Sequence, residues 1–398
     1  MAPGKMDRIT LLNHDERSMN AVKEAIKDTW PQGICHMASR GASGQTVNEI
    51  KMNGRPWHTS DANIDNNRIV NKIVGNLSQL NFRLVAGINI KGDTDSLFFV
   101  SDPSSSLQRP NFASISLCRT DRLRLIDCKD EAGAIRQVIQ QNNHHIQEES
   151  MREHHAKFKL RGTPWHCSGM DAIRARQLVS RISEVMLQRG WALTDALDIS
   201  KRDDDKSMLL FRRCDPTFAR FSCFALTSTN HLTLIDFPSG DLAILKNCLT
   251  QNYLPGLKEL ESTDTGSLKA TLAGSPWSHP HGSGLGWALH ARSLVMHLLA
   301  TAIRLGYRLV VSADVSAKYH SDDNTSYPLD VHTIYVVKLA GGAAESGVEQ
   351  PPSYLATTMF EGAYRSASQA SATPAEESIS EQPPSYLAAI NSQLSTDL

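Results

Sequence analysis

The element Gly-x-Pro-Trp occurs three times, at Gly54, Pro56, Trp57, at Gly162, Pro164, Trp165, and at Gly274, Pro276, Trp277. The intervals between successive prolines are 108 and 112 residues, the size of a small domain, so the chain is constrained to be a tandem repeat. Each copy closes a short alternating segment ("NEIKMNGRPW", "AKFKLRGTPW", "SLKATLAGSPW") that reads as a strand brought to an end by Gly and Pro. Behind each copy comes an amphipathic run with the spacing of one helix face: Ile69, Val70, Ile73, Leu77, then Leu178, Val179, Ile182, Met186, then Leu294, Val295, Leu298, Ala302. An aromatic (Phe82, Trp191, Tyr307) and an Asn or Asp (Asn89, Asp198, Asp314) follow in the same register.

A second strand-helix pair precedes each Pro-Trp: "DRITLLN" with "SMNAVKEAIKDTW", "DRLRLID" with "EAGAIRQVIQQ", and "NHLTLID" with "DLAILKNCL". The resulting unit runs strand, helix, strand ending in Pro-Trp, helix and three further strands. This predicts an α+β fold of three tandem repeats of about 110 residues, each with two helices on a mainly antiparallel sheet. The units fall at 1–118, 119–229 and 230–340, followed by a tail over 341–398. The turns "CRTD" and "TSTN" predict a hairpin across each unit boundary, so that neighbouring units share a sheet edge or a continuous sheet. Residues 7–30 either open the first unit or pack on the third and close the array.

At 40 % hydrophobic and 21 % charged, the chain has the composition of an ordinary soluble protein. "MAPGKMDRIT" lacks the apolar core of a signal peptide, and the longest apolar run, near Leu294 to Ile303, is interrupted by His297, so no membrane span is expected. Seven scattered cysteines without a Cys-x-x-Cys pair suggest neither a disulfide framework nor a thiolate zinc site. The expectation is a cytoplasmic protein, with the nucleus an open alternative.

Three constellations invite a chemical reading. The stretches after each Pro-Trp hold His58, Thr59, Ser60, then His166, Cys167, Ser168, then Ser278, His279, His281, Ser283. A Cys beside a His suggests nucleophilic catalysis, with Asp198 as a companion carboxylate, but neighbours in sequence point apart and Cys167 has no counterpart in the other units. His144, His145, His154 and His155 bracket "IQEESMRE" and could hold zinc if that segment were helical; the favoured reading is a solvated polar connector, with no metal and no cofactor. Arg122, Arg124, Arg212, Arg213 and Arg220 lie on predicted strands or their ends, as a nucleic-acid or anionic-lipid surface would require, yet they do not recur from unit to unit. An enzyme with a site at the loops after the Pro-Trp elements stays the first alternative, and binding of nucleic acid or anionic lipid by the sheets the second.

Beyond residue 340 the composition turns to Ala, Ser, Glu, Pro and Gly, with seven acidic residues and one basic, and predicts a disordered tail. Inside it "EQPPSYLA" occurs verbatim at 349–356 and 381–388. Pro351, Pro352, Tyr354 and Pro383, Pro384, Tyr386 so form two Pro-Pro-x-Tyr elements that resemble the PPxY ligands of WW domains, modules found in HECT-type ubiquitin ligases and in scaffold proteins. The resemblance implies polyproline II docking in an aromatic groove with the tyrosine in an adjacent pocket. As flexible coil, the 32 residues between the tyrosines span roughly 30 Å, enough for two WW domains to be engaged together. The resulting expectation is an adaptor whose repeats bind another protein and whose tail recruits a WW-domain partner.

Overall fold

The structure is a computed structural model. It describes residues 2–339 apart from 5–6, 43–44, 59–62, 90–94, 103–110, 200–205, 278–284, 317–318, 323–324 and 329–332. The tail therefore lies outside the described residues, as do the loops behind the first and third Pro-Trp elements.

The first unit comprises β1 (Ala2–Gly4), β2 (Arg8–Leu12), α1 (Glu16–Thr29), β3 (Ile34–Ala42), β4 (Gln45–Met52), α2 (Asn63–Gln79), β5 (Phe82–Asn89) and β6 (Asp95–Ser101). The second repeats that order with β7 (Phe112–Cys118), β8 (Arg122–Ile126), α3 (Ala132–Gln141), β9 (Ile146–Met151), β10 (His155–Leu160), α4 (Gly169–Gln188), β11 (Trp191–Leu197) and β12 (Met208–Arg213). The third holds β13 (Ala219–Thr227), β14 (His231–Ile235), α5 (Ser239–Asn252), β15 (Leu257–Ser262), β16 (Leu268–Leu272), α6 (Leu285–Arg304) and β17 (Arg308–Ala313). A ribbon of β18 (Tyr319–Asp322) and β19 (Thr325–Pro328) then precedes β20 (Thr333–Leu339). The expected class stands: three tandem α+β units, each with two helices on antiparallel strands, which in the first unit fall into two sheets, β1-β2-β4-β3 and β5-β6.

Sheet pairing moves the unit boundary. The second sheet has the order β11-β12-β7-β8-β10-β9 and the third β15-β16-β14-β13-β20-β17. The hairpins β7–β8 and β13–β14 thus lie wholly inside the later unit, with registers such as Leu117 on Leu123 and Leu226 on Leu232. The breaks fall ahead of Phe112 and Ala219, earlier than 118/119 and 229/230, and among the described residues no strand of one unit pairs with a strand of another. Neighbouring units therefore do not share a sheet. Residues 7–30 open the first unit: β2 pairs with β4, and Ile9, Met19, Val22 and Ile26 are buried with Ile50, Trp57 and Ile69.

Units join by stacking instead. Each strand that the later unit begins with has two buried faces. Ala113, Ile115 and Leu117 enter the second unit's core, while Ser114 and Ser116, small enough to admit a helix, are buried on the opposite side beneath α2. In the same way α4 packs on β13, and Phe221, Cys223, Ala225 and Tyr335 of the third unit join the core of the second. Sheet and helix layers alternate, and α2 and α4 are each covered by their own unit's strands on one side and by the next unit's sheet on the other.

Candidate functional site

In each unit the Pro-Trp turn is fixed by one recurring bond. The indole Nε1–H of Trp57 donates to the carbonyl of Arg8 at 3.0 Å, that of Trp165 to Arg122 at 2.8 Å and that of Trp277 to His231 at 2.9 Å. Burial of so large a ring leaves its one polar atom in need of a partner, and the first residue of the neighbouring strand supplies it. The glycine ahead of it is required by backbone geometry: Gly54, Gly162 and Gly274 have φ of 74°, 80° and 78°. Around Gly162 an added Cβ would meet open space, so conformation rather than close packing demands glycine there. This motif holds the repeat together.

The residues weighed for catalysis do not assemble. His166 and Ser168 are exposed, whereas the Cys167 thiol donates to the Pro164 carbonyl at 3.0 Å and lies 3.3 Å from Ser316 Oγ of the third unit. His58 closes the helical turn Pro56–His58, and Thr59 and Ser60 after it lie outside the described residues with Ser278, His279, His281 and Ser283. Asp314 accepts from Lys206 Nζ at 3.2 Å, and Ser207 bonds the backbone of Asp314, so Asp314 ties the third unit to the second.

The histidine-flanked segment is neither helix nor connector; most of it is the edge strand β9, paired with β10 through Glu149 on Phe158 and Ser150 on Lys157. A six-residue strand is about 20 Å long, so His144 and His145 at its start cannot share an ion with His154 and His155 at its far end. Burial depresses the pKa of both His144 and His155, favouring neutral rings. Among the described residues no three His, Cys, Asp or Glu side chains converge as a metal site. The arginines scatter: Arg124 is buried toward the first unit, and Arg213 stacks 5.0 Å over the Trp191 ring and donates to the Arg189 carbonyl.

Polar chemistry concentrates instead at the two joints between units, which sequence reasoning missed. Asp127 and Asp236 end equivalent strands with left-handed backbones, φ 59° and 62°. At the first joint Asp127 accepts from Arg68 Nε at 3.3 Å and Asn71 Nδ2 at 2.9 Å. At the second, Asp236 accepts from Gln177 Nε2 at 2.8 Å and pairs with Arg181 at 3.3 Å. Arg176, fully buried, donates to Thr333 Oγ1 at 2.8 Å, the Ala172 carbonyl at 2.9 Å and the Ser316 carbonyl at 3.2 Å. A recurring turn residue in left-handed conformation at a strand end was the available signal, legible as turn chemistry but not as a joint.

One family model, for a domain of uncharacterised function, matches residues 1–100, 111–212 and 220–336, beginning close to the sheet boundaries described above. The chain belongs to that domain family. No curated protein and no solved structure matches it. Pro351, Pro352, Tyr354, Pro383, Pro384 and Tyr386 lie outside the described residues.

Proposed function

We propose that this protein is an adaptor. The stacked repeats act as a rigid body that binds another protein, and the tail docks WW-domain proteins, HECT-type ubiquitin ligases among them, through Pro351, Pro352, Tyr354 and Pro383, Pro384, Tyr386. The observation that carries the reading is the verbatim recurrence of "EQPPSYLA" in a segment whose composition cannot build a core. Two further facts support it. Of the residues that attract a catalytic reading, Cys167 is taken up at a joint beside Ser316 while His166 and Ser168 are exposed and do not meet it, and all seven cysteines are unbridged, which suits the reducing compartments where WW-domain proteins would be met. Among the described residues no helix is long and apolar enough to cross a membrane.

Pull-down of the full chain by a tandem WW-domain fragment tests the reading. Replacing Tyr354 or Tyr386 alone with Ala weakens capture through loss of bivalency, and the double variant abolishes it while circular dichroism is unchanged. Undiminished capture of the double variant rejects the docking role.

A further inference from the structure

An alternating stack of sheets and helices has two unlike ends. Among the described residues no helix layer lies in front of the first unit's strands, and no sheet lies behind α6. Equivalent positions can be read through all three units from the shared bonds and registers. Four residues beyond the indole-bonded carbonyl stand Leu12, Ile126 and Ile235. Six beyond the aromatic that opens the next strand stand Ile88, Leu197 and Ala313. Opposite the fourth residue after that aromatic, in the strand pairing, stand Phe98, Leu210 and Tyr335.

In the second and third units all six of these side chains are fully buried. In the first unit Leu12, Ile88 and Phe98 are 51 %, 49 % and 44 % exposed. The helix side shows the converse. Ile173, Ser180 and Leu187 of α4 are buried in the second joint, but the equivalent residues of α6, Leu289, Met296 and Ile303, are 55 %, 48 % and 43 % exposed. They recur at seven-residue intervals along one stripe of the helix.

We infer that the chain associates with a second copy of itself end to end, α6 of one copy seating on the outer sheet face of the first unit of the next. The two internal joints are the template: one fold family builds this contact twice within the chain, and the free ends present its two complementary halves. The end joint differs in chemistry. Asn13 stands where Asp127 and Asp236 stand, again with a left-handed backbone (φ 49°). On α6, Ser293 replaces Arg68 and Gln177, Met296 replaces Asn71, and His297 replaces Arg181. The charged clamp is gone and a more apolar helix stripe takes its place, so the contact between copies rests on apolar burial and depends little on salt. Joining unlike surfaces is a heterologous mode, which yields a ladder of oligomers or a closed ring, and each added copy brings two more Pro-Pro-x-Tyr elements.

Sedimentation of the full-length chain up to about 100 μM, at low and high salt, tests this. The expected result is a concentration-dependent rise in average mass at both salt levels. Phe98→Asp, on the sheet end, and Met296→Glu, on the helix end, each hold the chain at monomer mass. An equimolar mixture of the two variants restores a dimer, since the intact helix of the first fits the intact sheet of the second. A variant that still dimerises alone indicates a symmetric contact and overturns the inference. So does a monomeric wild-type chain, and slow deuterium exchange along α6 in that monomer would assign the face to the chain's own segment beyond residue 339.

Discussion

The two internal joints use the same helix position against the same part of the next sheet, yet they are not equally furnished. Where the second joint has Arg176 with its guanidinium bonded to Thr333, Ala172 and Ser316, the first has Asn67, buried with its amide nitrogen unmatched. Asn66 and Asn71 nearby also hold buried oxygens without partners. A buried polar group left unmatched costs about 1–3 kcal/mol, so the first joint is the weaker of two otherwise equivalent contacts. Core continuity points the same way. Each cluster takes in the outer face of the next sheet, but the first unit's reaches Leu197, Ile199, Met208 and Leu210 of the second unit, whereas the second unit's reaches Phe221, Cys223, Ala225, Ile235, Val311, Ala313, Val315 and Tyr335 of the third. Repeat proteins need not unfold as one body when neighbour coupling is uneven.

The largest effect should come from removing the indoles. Trp57→Ala and Trp165→Ala each cost about 3–5 kcal/mol through lost burial and the cavity left behind. In thermal unfolding followed by calorimetry, Trp57→Ala splits off an early transition of the first unit and leaves the main one in place. Trp165→Ala lowers the main transition itself. A single, equally lowered transition in both variants would show that the joints couple the units equally.

Next in size is a swap that makes the second joint resemble the first. Arg176→Asn removes the donors that reach Thr333 and Ser316 and leaves space behind, for an expected loss of about 2–4 kcal/mol in urea unfolding. Deuterium exchange should rise in β13 and β20 while β2 and β4 stay protected. A loss below about 0.5 kcal/mol, within the range of ordinary surface substitutions, would mean that Arg176 is not what distinguishes the joints.

Much of the fold is legible in the sequence because burial leaves periodic marks. The Trp spacing, the helix stripes and the boundary hairpins all follow from apolar residues meeting a core. What escapes is held by other means. The edge strands β3, β9 and β15 are missing from the sequence reading because an edge strand packs little. Ile146–Met151 and Leu257–Ser262 are mostly polar, secured by ladder hydrogen bonds and by pairs such as Lys157 with Glu148 and Lys269 with Glu261. The joints escape for a related reason. Gln177 and Arg181 look like the solvated face of a helix, and only the position of the next sheet reveals that they meet Asp236. Ser114 and Ser116 in "FASISL" were the readable hint, small residues alternating with apolar ones in a strand buried on both faces.

The smallest expected effect sharpens the comparison through the clamps. The Asp236 carboxylate is nearly buried, and its partner Arg181 also bonds Glu184 at 2.9 Å, whereas the Asp127 carboxylate stands closer to water. Solvent and salt screen the first pair more than the second. Asp127→Ala is therefore expected to cost about 1–3 kcal/mol, since it leaves the buried Asn71 amide without its acceptor, and to lose about 0.5–1 kcal/mol of that cost in molar salt as the Arg68 pair is screened. Asp236→Ala should cost about 1–3 kcal/mol with little salt dependence, since it leaves the buried end of Gln177 without its acceptor. Urea midpoints for both variants at two ionic strengths decide the matter. If Asp127→Ala proves as salt-insensitive as Asp236→Ala, the two joints are electrostatically alike, and the difference in their strength must come from Arg176 and the shared apolar core alone.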